Sequence, residues 1–323
     1  MLTRRHALLS TLAAPLFGRK QSLKKGRVPA GLWPVMLTPF RLDQSIDWPA
    51  LDALTDWYLA NGADGLFACC QSSEVWDLTE AERLEVTARV VKRAGRTPVV
   101  AGGLPGFAVA PVGEFVKRLQ DCGAVAAVLT TGQITEKNDP DSLWRERVEA
   151  ILAVAPEMPF GLYEAPRPYK RLLSPETMSW AGRTGRFVFH KDTTCELDAV
   201  LAKVKAVQGT PVGIFNAHVP ILVDSIRGGG HGFSGIAANA YPNIVAHAVD
   251  QASKKGPEAD RVQKFLTESE LILNVRYPLS AKLMAGWAGQ PIQPVCRRKV
   301  VDLTPEQMQR LRGLRAAADQ VLS

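Results

Sequence analysis

Between residues 32 and 252 the chain repeats one order of segments eight times: a short apolar run, a polar loop, then a stretch with helical spacing. The apolar runs span 32–37, 65–70, 98–102, 124–129, 159–163, 187–191, 212–216 and 232–236. The helical stretches span 48–60, 79–93, 112–121, 141–154, 174–181, 197–207, 219–227 and 243–252. Several of them begin with capping chemistry. Asp47 precedes Trp48-Pro49, Ser174 precedes Pro175-Glu176, and Thr79-Glu80-Ala81-Glu82 has the spacing of a capping box. Each unit has the length of a strand with its crossover helix, about 30 residues. Eight such units predict an α/β protein built as a closed (β/α)8 TIM barrel over residues 28–255. The competing doubly wound sheet carries a glycine fingerprint after its first strand. Here that loop reads Thr38-Pro39-Phe40-Arg41. Residues 256–323 add at least two more helices, one over 304–321 capped by Thr304-Pro305-Glu306, expected as a C-terminal helical extension packed on the barrel.

A core of this size needs apolar content, and 46% of the 323 residues supply it, which excludes global disorder. The net charge of +7 invites a nucleic-acid partner until its placement is considered. Residues 1–27 hold Arg4, Arg5, Arg19, Lys20, Lys24, Lys25 and Arg27 and no acidic residue, so charges beyond residue 27 cancel. No nucleic-acid partner is expected. Arg4-Arg5 precedes an apolar run over 7–17, the pattern of a twin-arginine export signal. The expected location is therefore periplasmic or exported, with a cytoplasmic protein bearing a basic tail as the alternative. No apolar stretch approaches the ~18 residues of a membrane span. Five cysteines without a CxxC spacing point to neither a disulfide framework nor a zinc knuckle.

In a barrel, reacting groups sit at the C-terminal strand ends and in the loops that follow. These positions hold Thr38, Gln71-Ser72-Ser73-Glu74, Gly132-Gln133, Tyr163-Glu164, Lys191-Asp192, Asn216, His218 and Ser234-Gly235. Lys191 is the most informative. Strand alternation places it with Phe189 and Phe187 on one face, and His190 with Val188 on the other. A lysine facing the barrel interior is desolvated, which lowers its pKa toward what an imine-forming amine requires. A rim lysine paired with Asp192 or a nearby glutamate fits the periodicity equally well. Tyr163 ends the preceding strand, where a phenol can shuttle protons to the same cavity. Ser72 and Ser73 offer hydroxyl and amide donors to a carboxylate. The five histidines (His6, His190, His218, His231, His247) show no spacing that pairs them with carboxylates, so no metal site is expected. Gly228-Gly229-Gly230-His231-Gly232 lacks a following Lys-Ser/Thr and reads as a turn before the eighth strand.

Six stretches, in order, carry a family resemblance: residues 31–40 (GLWPVMLTPF), 61–66 (NGADGL), Ser72-Ser73-Glu74, Leu162-Tyr163-Glu164-Ala165-Pro166, Lys191-Asp192-Thr193-Thr194 and Ser234-Gly235-Ile236-Ala237-Ala238-Asn239. Together they resemble the dihydrodipicolinate synthase / N-acetylneuraminate lyase family of class I aldolases. The resemblance implies that Lys191 forms a Schiff base with pyruvate or another 2-oxo acid and that Tyr163 is the proton shuttle. It implies that Ser72 and Ser73 hold the substrate carboxylate, with Thr38, Ser234 and Gly235 lining the pocket. It further implies a small-molecule 2-oxo acid as partner, no cofactor, no metal, and a homo-oligomer, tetramer or dimer.

The sequence also departs from the synthase branch. Where that branch has a Pro-Pro-Tyr-Tyr type segment after strand four, this chain has Thr131-Gly132-Gln133-Ile134. Glu164 replaces the usual Asn, and Arg167-Pro168-Tyr169-Lys170 replaces the following Gly-Arg. Asn216, His218, Glu164, Arg167 and Lys170 are accordingly candidate specificity residues. The expected activity is a lyase that cleaves 2-oxo acids, including 2-keto-3-deoxy sugar acids. A dehydratase, dihydrodipicolinate synthase itself and a non-catalytic barrel that binds keto or sugar acids are the alternatives.

Overall fold

The structure, a computed structural model, describes residues 26–106 and 108–322. The twin-arginine pair and the apolar run after it lie outside the described residues.

Eight parallel strands curl into a barrel: β1 (Gly31–Leu32), β2 (Leu66–Ala68), β3 (Val99–Ala101), β4 (Ala126–Thr130), β5 (Phe160–Tyr163), β6 (Phe187–Asp192), β7 (Gly213–Asn216) and β8 (Gly232–Phe233). Each pairs with its sequence neighbour from β2 to β8, and β8 pairs with β1. Single bridges, Leu32 to Ala63 and Val35 to Phe67, join the β1 segment to that of β2 and complete the ring. The first strand is shorter than the apolar run over 32–37. Pro34 has no N–H to give the ladder, so it serves only as acceptor from Phe67 N (3.0 Å), and Met36 N then donates to Phe67 O (3.0 Å).

The helices follow their capping signals. Asp47 accepts from Ala50 N at the start of α1 (Trp48–Ala60), Thr79 and Glu82 form a capping box on α2 (Glu80–Ala94), and Ser174 caps α5 (Pro175–Arg183). α3 (Val109–Asp121), α4 (Asp141–Val154) and α6 (Leu197–Ala206) complete the ring to that point. The stretch over 219–227 is divided between a 3-10 turn, Val219–Ile221, and a short α7 (Leu222–Arg227), followed by α8 (Pro242–Ser253). Three further helices follow: α9 (Glu258–Leu273), α10 (Leu279–Trp287) and α11 (Pro305–Ala318). Their buried faces, with Leu266, Met284 and Leu311, share one apolar cluster with Leu54 of α1 and Ile244 of α8.

The barrel interior is a separate cluster of Trp33, Phe67, Val100, Val128, Phe189 and Phe215. Strict alternation along β6 fails at its start. The register slips between Phe160/Gly161 and Phe187/Phe189, which leaves Val188 as an extra residue. Phe187 turns outward against Phe160 and Trp180, whereas Val188 and Phe189 both face the interior. A bulge of this kind re-aims the residues beyond it. Lys191 thus shares the interior face with Phe189 but not with Phe187.

Candidate active site

Tyr163 and Lys191 are register partners at the ends of β5 and β6. Lys191 Nζ lies 4.4 Å from the centre of the Tyr163 ring. The ring in turn meets Phe67 edge-on, and Phe67 and Trp33 pack on Phe189, so a layer of aromatic rings closes the barrel below the amine. Lys191 is 3% exposed and, among the described residues, has no carboxylate partner. Burial therefore dominates its titration and lowers its pKa from 10.5 to about 8, with a small opposing effect from Cys70. The rim ion pair with Asp192 does not form, because the Asp192 carboxylate accepts from Lys203 Nζ (2.7 Å), Thr194 N (2.8 Å) and Thr194 Oγ1 (3.1 Å). Burial likewise raises the Tyr163 pKa well above its ordinary value, so the phenol is protonated at neutral pH.

The loop after β2 brings its two serines to this centre in different states. The Ser73 hydroxyl donates to Met36 O (2.6 Å) and accepts from Cys70 N (3.1 Å), which commits it to holding the loop. Its proton is thus already donated within the protein. Thr38 Oγ1 donates to Ser73 O (2.9 Å) and braces the same loop. Ser72 Oγ accepts from Tyr277 of the C-terminal segment (2.6 Å). Glu74 ends the loop in a left-handed conformation, fully buried, and accepts from Lys282 Nζ (2.5 Å) and Arg298 N (2.8 Å).

On strand eight, Ser234 Oγ donates to Trp33 O (2.9 Å). At Gly235 a Cβ would lie 2.3 Å from the Phe233 ring and 2.5 Å from Ala217 O, so only glycine fits. Gly132 is equally constrained: a Cβ there would lie 2.1 Å from Tyr169 O, which pins the turn after β4 beneath the loop that follows β5.

The expected specificity residues separate. Asn216 commits both ends of its amide to the backbone of His218 at 2.8 Å, and the His218 ring meets Glu270 of α9 at 3.2 Å. Arg167 and Lys170 are exposed. Glu164 does not face the pocket at all. It is fully buried on the helix side of the barrel, where Oε1 accepts from Lys203 Nζ (2.6 Å) and Leu173 N (2.8 Å), and Oε2 from Thr193 N (3.1 Å). Three of its acceptor sites are thus used within the protein.

Glu164 belongs to a cluster that the histidine spacing did not reveal. His190 Nε2 stands 3.6 Å from both Glu164 and Asp192. These three residues bring possible metal-ligating atoms within 4.8 Å of one another. The Lys203 ammonium already lies between the two carboxylates and supplies the positive charge there. Lys203, Tyr277, Lys282 and Arg298 carried no local signal, since each acts on a partner distant in sequence.

The family profile of the "Dihydrodipicolinate synthetase family" matches residues 28–317. Among curated relatives, a protein of Thermomicrobium roseum named 4-hydroxy-tetrahydrodipicolinate synthase is 30% identical over 69% of this chain and 72% of its own length. One of the same name from Oceanobacillus iheyensis is 24% identical over 86% of this chain and 94% of its own. Among solved structures, the dihydrodipicolinate synthase of Acinetobacter baumannii complexed with pyruvate superposes with a TM-score of 0.80 at 22% identity, over 90% of this chain and 99% of that one. A prophage protein of the dihydrodipicolinic acid synthase family from E. coli K12, also in complex with pyruvate, gives 0.80 at 19% identity, over 90% and 98%. These two share the fold. The profile match, which covers nearly the whole described barrel and its helical extension, establishes that the chain belongs to the dihydrodipicolinate synthetase family and is a lyase of its class I aldolase type.

Proposed function

We propose that the protein cleaves 2-oxo acids, with 2-keto-3-deoxy sugar acids as the substrate class, through an imine on Lys191. The supporting observation is the burial of Lys191 beside the Tyr163 phenol, without an acidic partner among the described residues. The amine adds to the substrate ketone and water leaves, giving a protonated imine. Tyr163 gives its proton to the departing hydroxyl as water leaves, and the tyrosinate so formed takes the proton of the 4-hydroxyl while the C3–C4 electron pair moves into the iminium. An aldehyde departs and an enamine remains. Proton return to C3 and hydrolysis then release pyruvate and restore the amine.

Cleavage is favoured over the synthase reaction named for the relatives by Thr131-Gly132-Gln133, a turn without the tyrosines of the synthase branch. The family's homo-oligomeric habit extends to this chain as part of the same proposal, and Arg4-Arg5 supports export. Cyanoborohydride reduction with pyruvate, followed by peptide mapping, tests the chemistry: a stable adduct on Lys191 is expected, and its absence with every 2-oxo acid tried overturns it. A panel of 2-keto-3-deoxy acids then identifies the substrate.

A further inference from the structure

Beside Lys191 and Tyr163 stands a reactive group that the cleavage reaction does not use. Cys70 closes the apolar run of the second unit and is 2% exposed. Its neighbour Cys69 turns to the helix side, where Sγ donates to Arg83 O (3.3 Å) and meets Thr87 Oγ1 (3.6 Å), both of α2. Cys70 turns the other way, into the interior cluster that contains Phe67, Tyr163 and Phe189. Its thiol is loosely held there. Sγ lies 3.9 Å from Met36 O and 3.7 Å from Ser73 Oγ, two atoms already joined to each other at 2.6 Å. Neither spends its better bond on the sulfur.

Cys70 and Tyr163 line one small recess, together with Gln71, Val128 and Thr130. The Tyr163 phenol, in a residue only 6% exposed, has no hydrogen-bond partner among the described residues. Lys191 Nζ, 4.4 Å from the centre of the same ring, has none either. An amine, a phenol and a thiol thus converge on the Tyr163 ring with the first two free of protein partners. Cys70 also weighs on the titration of both Lys191 and Tyr163, in keeping with this placement. Of the three groups, sulfur is the strongest nucleophile toward a saturated carbon. The other cysteines lie elsewhere: Cys69 and Cys122 against α2, Cys296 in the C-terminal segment, and Cys195 exposed on the loop after β6.

We propose that Cys70 is a covalent modification site inside the Lys191 pocket, selective for 2-oxo acids that carry a leaving group on C3. This rests on Lys191 as the imine-forming amine. The ketone of such an acid condenses with the amine, and water leaves with the Tyr163 proton. The tyrosinate takes the proton of the Cys70 thiol. The thiolate forms the S–C3 bond as the C3–halogen bond breaks, and the halide departs with that electron pair. Hydrolysis of the imine then frees Lys191 and leaves the 2-oxo acid joined to Sγ through C3.

The test compares 3-bromopyruvate with iodoacetamide, an alkylating reagent that has neither the ketone nor the acid, and reads the labelled residues by peptide mass mapping. Iodoacetamide is expected first on the exposed Cys195, and 3-bromopyruvate first on Cys70. Pyruvate at ten times its half-saturating concentration slows bromopyruvate labelling of Cys70 about tenfold and leaves that of Cys195 unchanged. Cys195→Ser, which removes the exposed competitor, keeps the label on Cys70. The same preferred cysteine with both reagents, labelling of Cys70 that pyruvate does not slow, or bromopyruvate label on Lys191 or Tyr163 in place of Cys70 overturns the proposal. Cyanoborohydride trapping of pyruvate on Lys191 leaves the imine chemistry standing in each of those cases. No pyruvate adduct on Lys191 overturns both.

Discussion

Lys191 Nζ sits 4.4 Å above the Tyr163 ring, and neither residue hydrogen-bonds to a charged side chain among the described residues. The amine and the phenol are both biased toward neutrality by burial, the state in which an amine can attack a ketone and a phenol can give up a proton.

With the Lys191 pKa near 8, the neutral fraction rises about tenfold between pH 7 and 9 and levels off above 8. Imine trapping by cyanoborohydride at subsaturating pyruvate, corrected for reagent decay, is expected to follow that curve. A lysine at 10.5 gives instead a rise of about a hundredfold with no plateau. The same burial penalises the folded state wherever the unfolded chain holds the proton more tightly. Stability therefore rises as pH goes from about 8 to 10.5. Lys191→Met should be more stable than the parent at pH 7, by on the order of 3 kcal/mol, and the gain should vanish above pH 10.5 in urea unfolding.

Tyr163→Phe removes a hydroxyl that has no protein hydrogen bond among the described residues and leaves the ring beneath Lys191. Unfolding free energy should change by less than about 1 kcal/mol. Turnover of the cleaved 2-keto-3-deoxy acid should fall by about 10²–10⁴ while pyruvate still traps fully on Lys191. Unimpaired turnover would remove Tyr163 from the proton path.

Lys203→Met leaves Glu164 and Asp192 buried without their shared ammonium, and should cost about 3–5 kcal/mol in denaturant unfolding. Adding Glu164→Gln to this variant should restore part of the loss, since one of the two uncompensated charges is gone. For Asp192, burial alone would raise the pKa, but His190 and Lys203 outweigh it and hold the carboxyl well below its ordinary 3.8. Its stabilising contribution is thus complete above about pH 4 and is lost only as pH falls further. The acid-unfolding midpoint of Lys203→Met should lie at higher pH than that of the parent.

Glu74→Gln weakens the tie between the Ser72–Ser73 loop and the C-terminal segment and leaves Lys282 as a buried, unpaired ammonium. The expected results are a loss of about 3 kcal/mol in stability and a higher half-saturating pyruvate concentration in the trapping assay. A stability loss with unchanged pyruvate dependence would separate the loop anchor from substrate binding.

The eightfold recurrence, the helix starts at Asp47, Thr79 and Ser174, and the placement of Lys191 and Tyr163 at adjacent strand ends were all readable in the sequence, because each depends on periodicity or on residues within a few positions of one another. The bulge at Val188 was not, since it arises from how β6 registers against β5. Nor was the fate of Glu164, whose position suggested the pocket and whose carboxylate turned to Lys203, 39 residues away. The bond between Tyr277 and Ser72 spans 205 positions, and that between Lys282 and Glu74 spans 208. Local pattern determined the barrel and the adjacency of Lys191 and Tyr163. Only closure of the ring and docking of the last helices decided which polar groups are already bonded within the protein and which are left to meet a substrate, because hydrogen-bond saturation depends on partners brought together by packing.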